Sequence, residues 1–156
     1  LEQVPVALDV LVREAVLRFL PRADAAGVDL GARGVDQPVW AFANGALVEG
    51  VLNNLLDNAL RYGDAQQPIE ISVAAHTHHE DQLGVAITVS NKPGIAAWPD
   101  AGKVFQKYYR STGAKSISGT GLGLFLVKSI CSLLGGACTY APDDTNVRFT
   151  VWLPNN

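Results

Sequence analysis

Residues 45–62, GALVEGVLNNLLDNALRY, hold two patterns in one stretch. Leu47, Val48, Val51, Leu52, Leu55, Leu56, Ala59 and Leu60 recur at helical spacing and predict an amphipathic helix with one broad apolar stripe. Beside that stripe Asn54, Asn58, Arg61 and Tyr62 fall at i, i+4, i+7 and i+8, aligning two amides, a cation and a phenol along one edge. Asparagine is a mediocre helix former because its side chain competes for backbone hydrogen bonds, so a pair one turn apart needs a reason. An amide oxygen is a hard, neutral ligand suited to Mg²⁺, which keeps most of its waters and borrows phosphate oxygens. A guanidinium suits phosphate, and a tyrosine ring can lie against a base. A plain solvated helix face would satisfy the same spacing.

A second stretch, SGTGLGLFLVKS at 118–129, places Gly119, Gly121 and Gly123 at the mouth of an apolar segment. Each glycine there costs roughly 1 kcal/mol against alanine. Two explanations stand: a loop that must approach something closely, or free N–H groups at a helix start that hold a phosphate. No Gly-Lys-Ser/Thr follows to make a P-loop, and no strand leads directly in as a dinucleotide fold requires.

The rest of the chain must position these groups. Leu8, Leu11, Val12, Ala15, Val16, Phe19 and Leu20 predict a helix over about 6–24. VDLGA and PVWAFA read as short strands, and IEISVAAH and QLGVAITVS as two strands joined by a polar turn. Residues 91–118 have no steady period and read as a long loop with one helical turn near KVFQKYY. A helix over about 121–134 stops at Gly135-Gly136, and ACTYA and VRFTVWL form a closing hairpin. The expected fold is α/β: a two-layer sandwich with a mixed, mostly antiparallel sheet packed on three helices. With 156 residues, 48% of them apolar, the chain suits one domain with a real core. A net charge of −3 gives no electrostatic case for nucleic acid or an anionic membrane. No apolar run approaches the ~20 residues of a membrane span, and no signal peptide opens the chain. Cys131 and Cys138 lack metal-site spacing, and His76, His78 and His79 sit in a polar turn without acidic or thiol support. Trp40 and Trp152 read as core, Trp98 as a latch, and Tyr108 and Tyr109 as packing.

NNLLDNALRYG, VSNKPGI, KVFQKYYRS and SGTGLGLFLVKS occur in that order and together resemble the ATP-binding catalytic domain of sensor histidine kinases. That domain belongs to the ATPase superfamily shared with gyrase, mismatch-repair ATPases and heat-shock chaperones. The resemblance covers essentially the whole of 1–156 and implies a fragment of a larger sensor, without its dimerisation helices. It implies ATP and Mg²⁺ as cofactors, with Asn58 on the metal and Asn54 near the metal's waters and the phosphates. Arg61 reaches phosphate and Tyr62 flanks adenine or ribose. GTGLGL is similar to the second glycine box, in which Gly119, Thr120, Gly121, Leu122 and Gly123 cradle the phosphates. The long loop becomes a lid, anchored by Phe105, with Arg110 aimed at the γ-phosphate and Lys107 and Lys115 as lesser phosphate partners. Asn54 and Arg110 are the implied catalytic groups.

The first glycine box of this family is D-x-G-x-G, its Asp accepting from the adenine amino group. Aligned on Pro93-Gly94-Ile95, the chain has Ser90 at the Asp position and Lys92 at the first Gly, keeping only Gly94. A shift of one residue would bring Asn91 there instead. Ser90, Asn91, Gly94 and Ile95 are therefore the expected base-side contacts. The implied activity is delivery of the γ-phosphoryl group to a histidine on the protein's own dimerisation helices, then to a response regulator receiver domain. No phosphoacceptor context surrounds any histidine here. The setting implied is the cytoplasmic part of a membrane-anchored sensor, homodimeric only at full length. The rival within the fold is a degenerate nucleotide-binding or regulatory module. A hydrolytic ATPase is disfavoured, since Asn54 stands where a water-activating glutamate would.

Overall fold

The computed structural model describes residues 2–78, 81–95, 97–110 and 121–156. Helix α1 (Leu8–Ala26) buries Leu8, Val12, Ala15, Phe19 and Ala23, the stripe its sequence predicts. Helix α2 (Gly45–Tyr62) starts at Asn44, whose side chain accepts from the Leu47 N–H at 3.1 Å, an N-cap that satisfies one open donor. Helix α3 (Gly123–Leu133) buries Val127 and Cys131 and packs beside α2. Strands β2 (Leu30–Arg33), β4 (Ile69–Thr77), β5 (Leu83–Asn91), β6 (Ala137–Tyr140) and β7 (Val147–Pro154) form one sheet in the order β2-β4-β5-β7-β6. Only β2 and β4 run parallel; the other neighbours are antiparallel. Helices cover one face, where Ile71, Ile87, Val89, Phe149 and Val151 meet Leu52, Leu55 and Leu56. Each fully buried leucine contributes about 1.5–3 kcal/mol of transfer free energy. The two-layer sandwich is as expected.

Two expectations fail near the start. The helix does not begin at about 6, because Val4–Ala7 form strand β1, paired antiparallel with β3 (Trp40–Ala43) as a separate ribbon. Pro5 is tolerated in a ribbon this narrow, where a missing N–H breaks no central ladder. Trp40 is not core but 55% exposed. The alternation of β3 explains it: Ala41 and Ala43 are buried inward, so Trp40 falls on the opposite face, across from Ala7. Trp152 is buried as expected, stacked on His78 at 4.6 Å and donating its indole N–H to the His76 carbonyl. Burial pushes both cysteine thiols up to about 12, which fits inert packing.

Asp9 ties the ribbon to α1. Its carboxylate accepts from the Val39 N–H at 3.1 Å and pairs with Arg13 at 3.1 Å, while Arg13 also donates to the Val35 carbonyl. The Val39 hydrogen bond, aided by Arg13 and opposed by burial, holds its carboxyl below the usual carboxylate range. A depressed folded value means stability that is present above the ordinary carboxylate pKa and lost as pH falls through the folded one. Asp9→Ala is expected to cost about 1–3 kcal/mol at neutral pH and to flatten the acid limb below about pH 4. Chemical denaturation at several pH values checks this, and parallel acid limbs in both proteins would refute it.

Candidate functional site

The stripe on α2 ends against the end of β5. Gly94 donates its N–H to the Tyr62 carbonyl at 3.3 Å, Gly63 bridges Pro93, and Asp64 donates to the Lys92 carbonyl at 2.9 Å. The approach is too close for side chains. A Cβ on Gly94 would lie 2.7 Å from the Gly63 oxygen, and one on Gly63 would lie 2.5 Å from the Ala59 oxygen and 2.9 Å from the Asn91 amide nitrogen. Gly63 is therefore more than a helix stop: its missing side chain makes room for Asn91.

The pleat of β5 separates the two residues offered for the base. Val85, Ile87, Val89 and Asn91 point to the helical layer and are buried, Asn91 being 5% exposed. Ser90 shares the outer sheet face with Thr88, Glu70, Ser72 and Arg148, and its cross-strand partners are Glu70 and Arg148. The alignment that put Ser90 at the Asp position is thus overturned, because a one-residue step along a strand moves a side chain to the opposite face. Asn91 is the polar group on the α2 side, and its Nδ2 donates to the Lys92 carbonyl at 3.0 Å.

At the other edge of the stripe, α3 begins beside Asn54. A Cβ on Gly123 would sit 3.2 Å from Asn54 Oδ1, and Asn54 Nδ2 donates to the Gly50 carbonyl at 3.0 Å. The Leu122 position that caps α3 supplies no side-chain hydrogen bond to its first turn. Gly121 adopts φ +75° and lies against the backbone of Tyr108 and Tyr109, with Tyr108 donating its N–H to the Gly121 carbonyl at 3.0 Å. A side chain at Gly121 would be both strained and obstructed. Arg110, half-buried, follows Tyr109 in the chain. Gly119, Thr120 and Lys115 lie outside the described residues.

Asn54, Asn58 and Tyr62 are half-buried on the α2 edge, and Arg61 is bound through its Nε to both oxygens of Asp57, at 3.1 and 2.9 Å. Asp57 was missed by the sequence reading, although its i, i+4 spacing to Arg61 was there to find. Phe105 packs edge-on to Phe149 at 6.0 Å under the Lys128 ammonium. Tyr109 packs on the core and its hydroxyl accepts from the Asp100 N–H at 2.9 Å, whereas Tyr108 is 65% exposed with φ +64°, so its packing role is corrected. Ile95 and Trp98 are exposed, and Lys107 stands over the Tyr108 and Phe125 rings. Among the described residues no cluster of His, Cys, Asp and Glu could hold a metal, and no helix is long and apolar enough to cross a membrane.

Helices thus cover one face of a mixed sheet, with the amide edge of α2 meeting the start of α3. Residues 43–156 match the family described as histidine kinase-, DNA gyrase B-, and HSP90-like ATPase. Over 121 residues the chain is 33% identical to the sensor histidine kinase Hik2 of Synechocystis sp., covering 71% of this chain and 28% of that protein. The chain thus spans less than a third of that relative's length. Its fold matches the catalytic domain of histidine kinase ThkA with a TM-score of 0.82 at 22% identity, over 99% of this chain and 97% of that one. Full-length ShkA, solved in complex with AMPPNP, matches with a TM-score of 0.77 at 22% identity, over 99% of this chain and 31% of that one. The chain belongs to the family of histidine kinase-, DNA gyrase B- and HSP90-like ATPases.

Proposed function

We propose that this domain binds Mg·ATP between the α2 edge and the α3 N-terminus and presents the γ-phosphoryl group to a histidine on its own protein's dimerisation helices. The observation that carries the reading is the placement of Gly123 against Asn54, where a Cβ would lie 3.2 Å from Asn54 Oδ1, which joins the amide edge to a helix start suited to anions. The complex of ShkA with AMPPNP supports a nucleotide at this fold. The donor set fits Mg²⁺: neutral amide oxygens leave room for waters and phosphate oxygens, with Asn58 as ligand and Asn54 over its waters. When bound, the ion would supply charge neutralisation as negative charge develops on the phosphates. Arg61 and Arg110 take phosphate oxygens, and Tyr62 lies against the nucleoside. Gly121, Leu122 and Gly123 stand at the start of α3 and face the phosphates with their backbone, and Gly119 and Thr120 precede them in the sequence. The Asn91 amide, its Nδ2 already engaged by Lys92, accepts from the adenine amino group through its oxygen. Gly94, with Ile95 following, lets β5 reach α2 closely enough for this.

Little covalent chemistry is asked of these residues; they position the phosphates and exclude the alternatives. Hydrolysis is disfavoured, since Asn54 stands where a water-activating glutamate would. From the histidine the phosphoryl group would pass to a response regulator receiver domain. The chain alone, incubated with radiolabelled ATP, is expected to acquire no acid-labile label and to label dimerisation helices supplied in trans. Acid-labile label on the chain alone would refute transfer to an external histidine. Failure to label the helices, with ATP binding intact, would point to a regulatory module instead.

A further inference from the structure

An aspartate with no part in the reading above sits where it can govern one that has. Asp57 receives two cations. Arg61, one turn later on α2, donates from Nε to Oδ1 and Oδ2 at 3.1 and 2.9 Å. Arg22, from α1, donates from Nη1 to Oδ1 at 2.9 Å. Arg22 is itself held, its guanidinium 5.3 Å from the centre of the Phe19 ring, and Phe19 is buried in the core. The result is a chain of fixed contacts, Phe19 to Arg22 to Asp57 to Arg61, crossing from α1 to the phosphate edge of α2.

From this we infer that Asp57 is a positioning residue, which holds the Arg61 guanidinium beside Asn54 and Asn58 in readiness for phosphate. The inference rests on the nucleotide reading given above. Stability alone does not account for the arrangement: all three side chains are at least one-third exposed, and pairs this exposed contribute little to folding. Orientation does. Long arginine side chains lose much rotamer freedom on binding, and a guanidinium engaged through Nε has its plane set before the ligand arrives. A carboxylate in the cluster that is already pinned by Arg22 holds Arg61 at a smaller entropic cost than an isolated one.

The sign of one measurement separates this role from simple electrostatics. A bare negative charge near the phosphates repels them, so removing it would tighten nucleotide binding about twofold at this exposure. Loss of a positioning group loosens it. Binding of ADP, ATP and adenosine to the chain should therefore be measured for wild type, Asp57→Ala, Asp57→Asn, Arg61→Ala and the double variant Asp57→Ala/Arg61→Ala. We expect Asp57→Ala to weaken ATP and ADP by about three- to tenfold, with adenosine unchanged and no further loss beyond Arg61→Ala in the double variant. Asp57→Asn, which keeps an acceptor oxygen, is expected to recover part of the loss. Unchanged or tighter ATP binding in Asp57→Ala, while Arg61→Ala weakens it, would overturn the positioning role and leave the nucleotide reading intact. An equal loss for adenosine, or a loss that adds to that of Arg61→Ala, would also overturn it. If Arg61→Ala binds ATP as wild type does, the assignment of Arg61 to phosphate falls, and the role of Asp57 falls with it.

Discussion

Asn58→Ala is expected to abolish nearly all of the gain in nucleotide affinity that Mg²⁺ brings, while the fold survives. Asn58 is half-buried on the α2 edge, beside the buried stripe of Val51, Leu55 and Ala59 rather than within it. Truncation there removes an amide without opening a core cavity, so the melting temperature should move by a few degrees at most. The effect on the metal is far larger. Losing groups that merely support a metal ligand costs about 10- to 100-fold, and Asn58 is proposed as the ligand itself. The expected outcome is a metal enhancement that is clear in the wild type and nearly flat in the variant. Equal enhancement in both would remove Asn58 from the metal. Asn54→Ala should behave differently, because Asn54 also bonds the Gly50 carbonyl and faces Gly123. Its loss should lower affinity with and without the ion.

The second large effect concerns the base. Asn91→Ala is expected to weaken ATP by about 1–3 kcal/mol, roughly fivefold to a hundredfold, through loss of an acceptor from a buried position. Ser90→Ala should leave ATP binding unchanged, since that side chain lies on the outer sheet face. Ser90→Asp should not tighten it either, and would set a carboxylate directly across from Glu70, which destabilises a strand pair. The geometry also bears on selectivity. An asparagine can accept from an amino group or donate to a carbonyl, but here Nδ2 is committed to the Lys92 carbonyl. That bond takes one of the two Nδ2 hydrogens and sets the orientation of the amide, with its oxygen as the purine contact, so adenine should be preferred over guanine even though a neutral acceptor binds more weakly than a carboxylate. Isothermal titration of ATP and GTP into these variants checks the set. ATP affinity retained in Asn91→Ala and lost in Ser90→Ala would restore the alignment that the pleat overturns.

That alignment shows where sequence reasoning stops. Helix α2 was legible to the residue, because an apolar stripe and a Gly after its end agree. The strands β4 and β5 were legible from their alternation. Which of two neighbouring polar residues faces the helices was not, since VSNKPGI has lost the glycine that would fix the register. The pleat settles it physically: Val85, Ile87 and Val89 set the inward parity, and Asn91 continues it. Strand β1 was missed for a different reason. Val4, Pro5, Val6 and Ala7 merge with the apolar rhythm of α1, and only pairing with β3 reveals them as a strand. Trp40 was misjudged by hydrophobicity, when its side of a two-stranded ribbon decided its exposure. Asp57 was overlooked although it lies one turn before Arg61, because its other partner, Arg22, is 35 residues away in the chain.

The claim on which all of this depends is that the α2 edge and the α3 N-terminus together hold a magnesium nucleotide. Calorimetric titration of ATP into the chain, with Mg²⁺ and then with the metal chelated, tests it most directly. The account predicts saturable binding with one nucleotide per chain, tightened by the metal at least about tenfold. No heat of binding up to about 1 mM ATP, or binding indifferent to Mg²⁺, would contradict it.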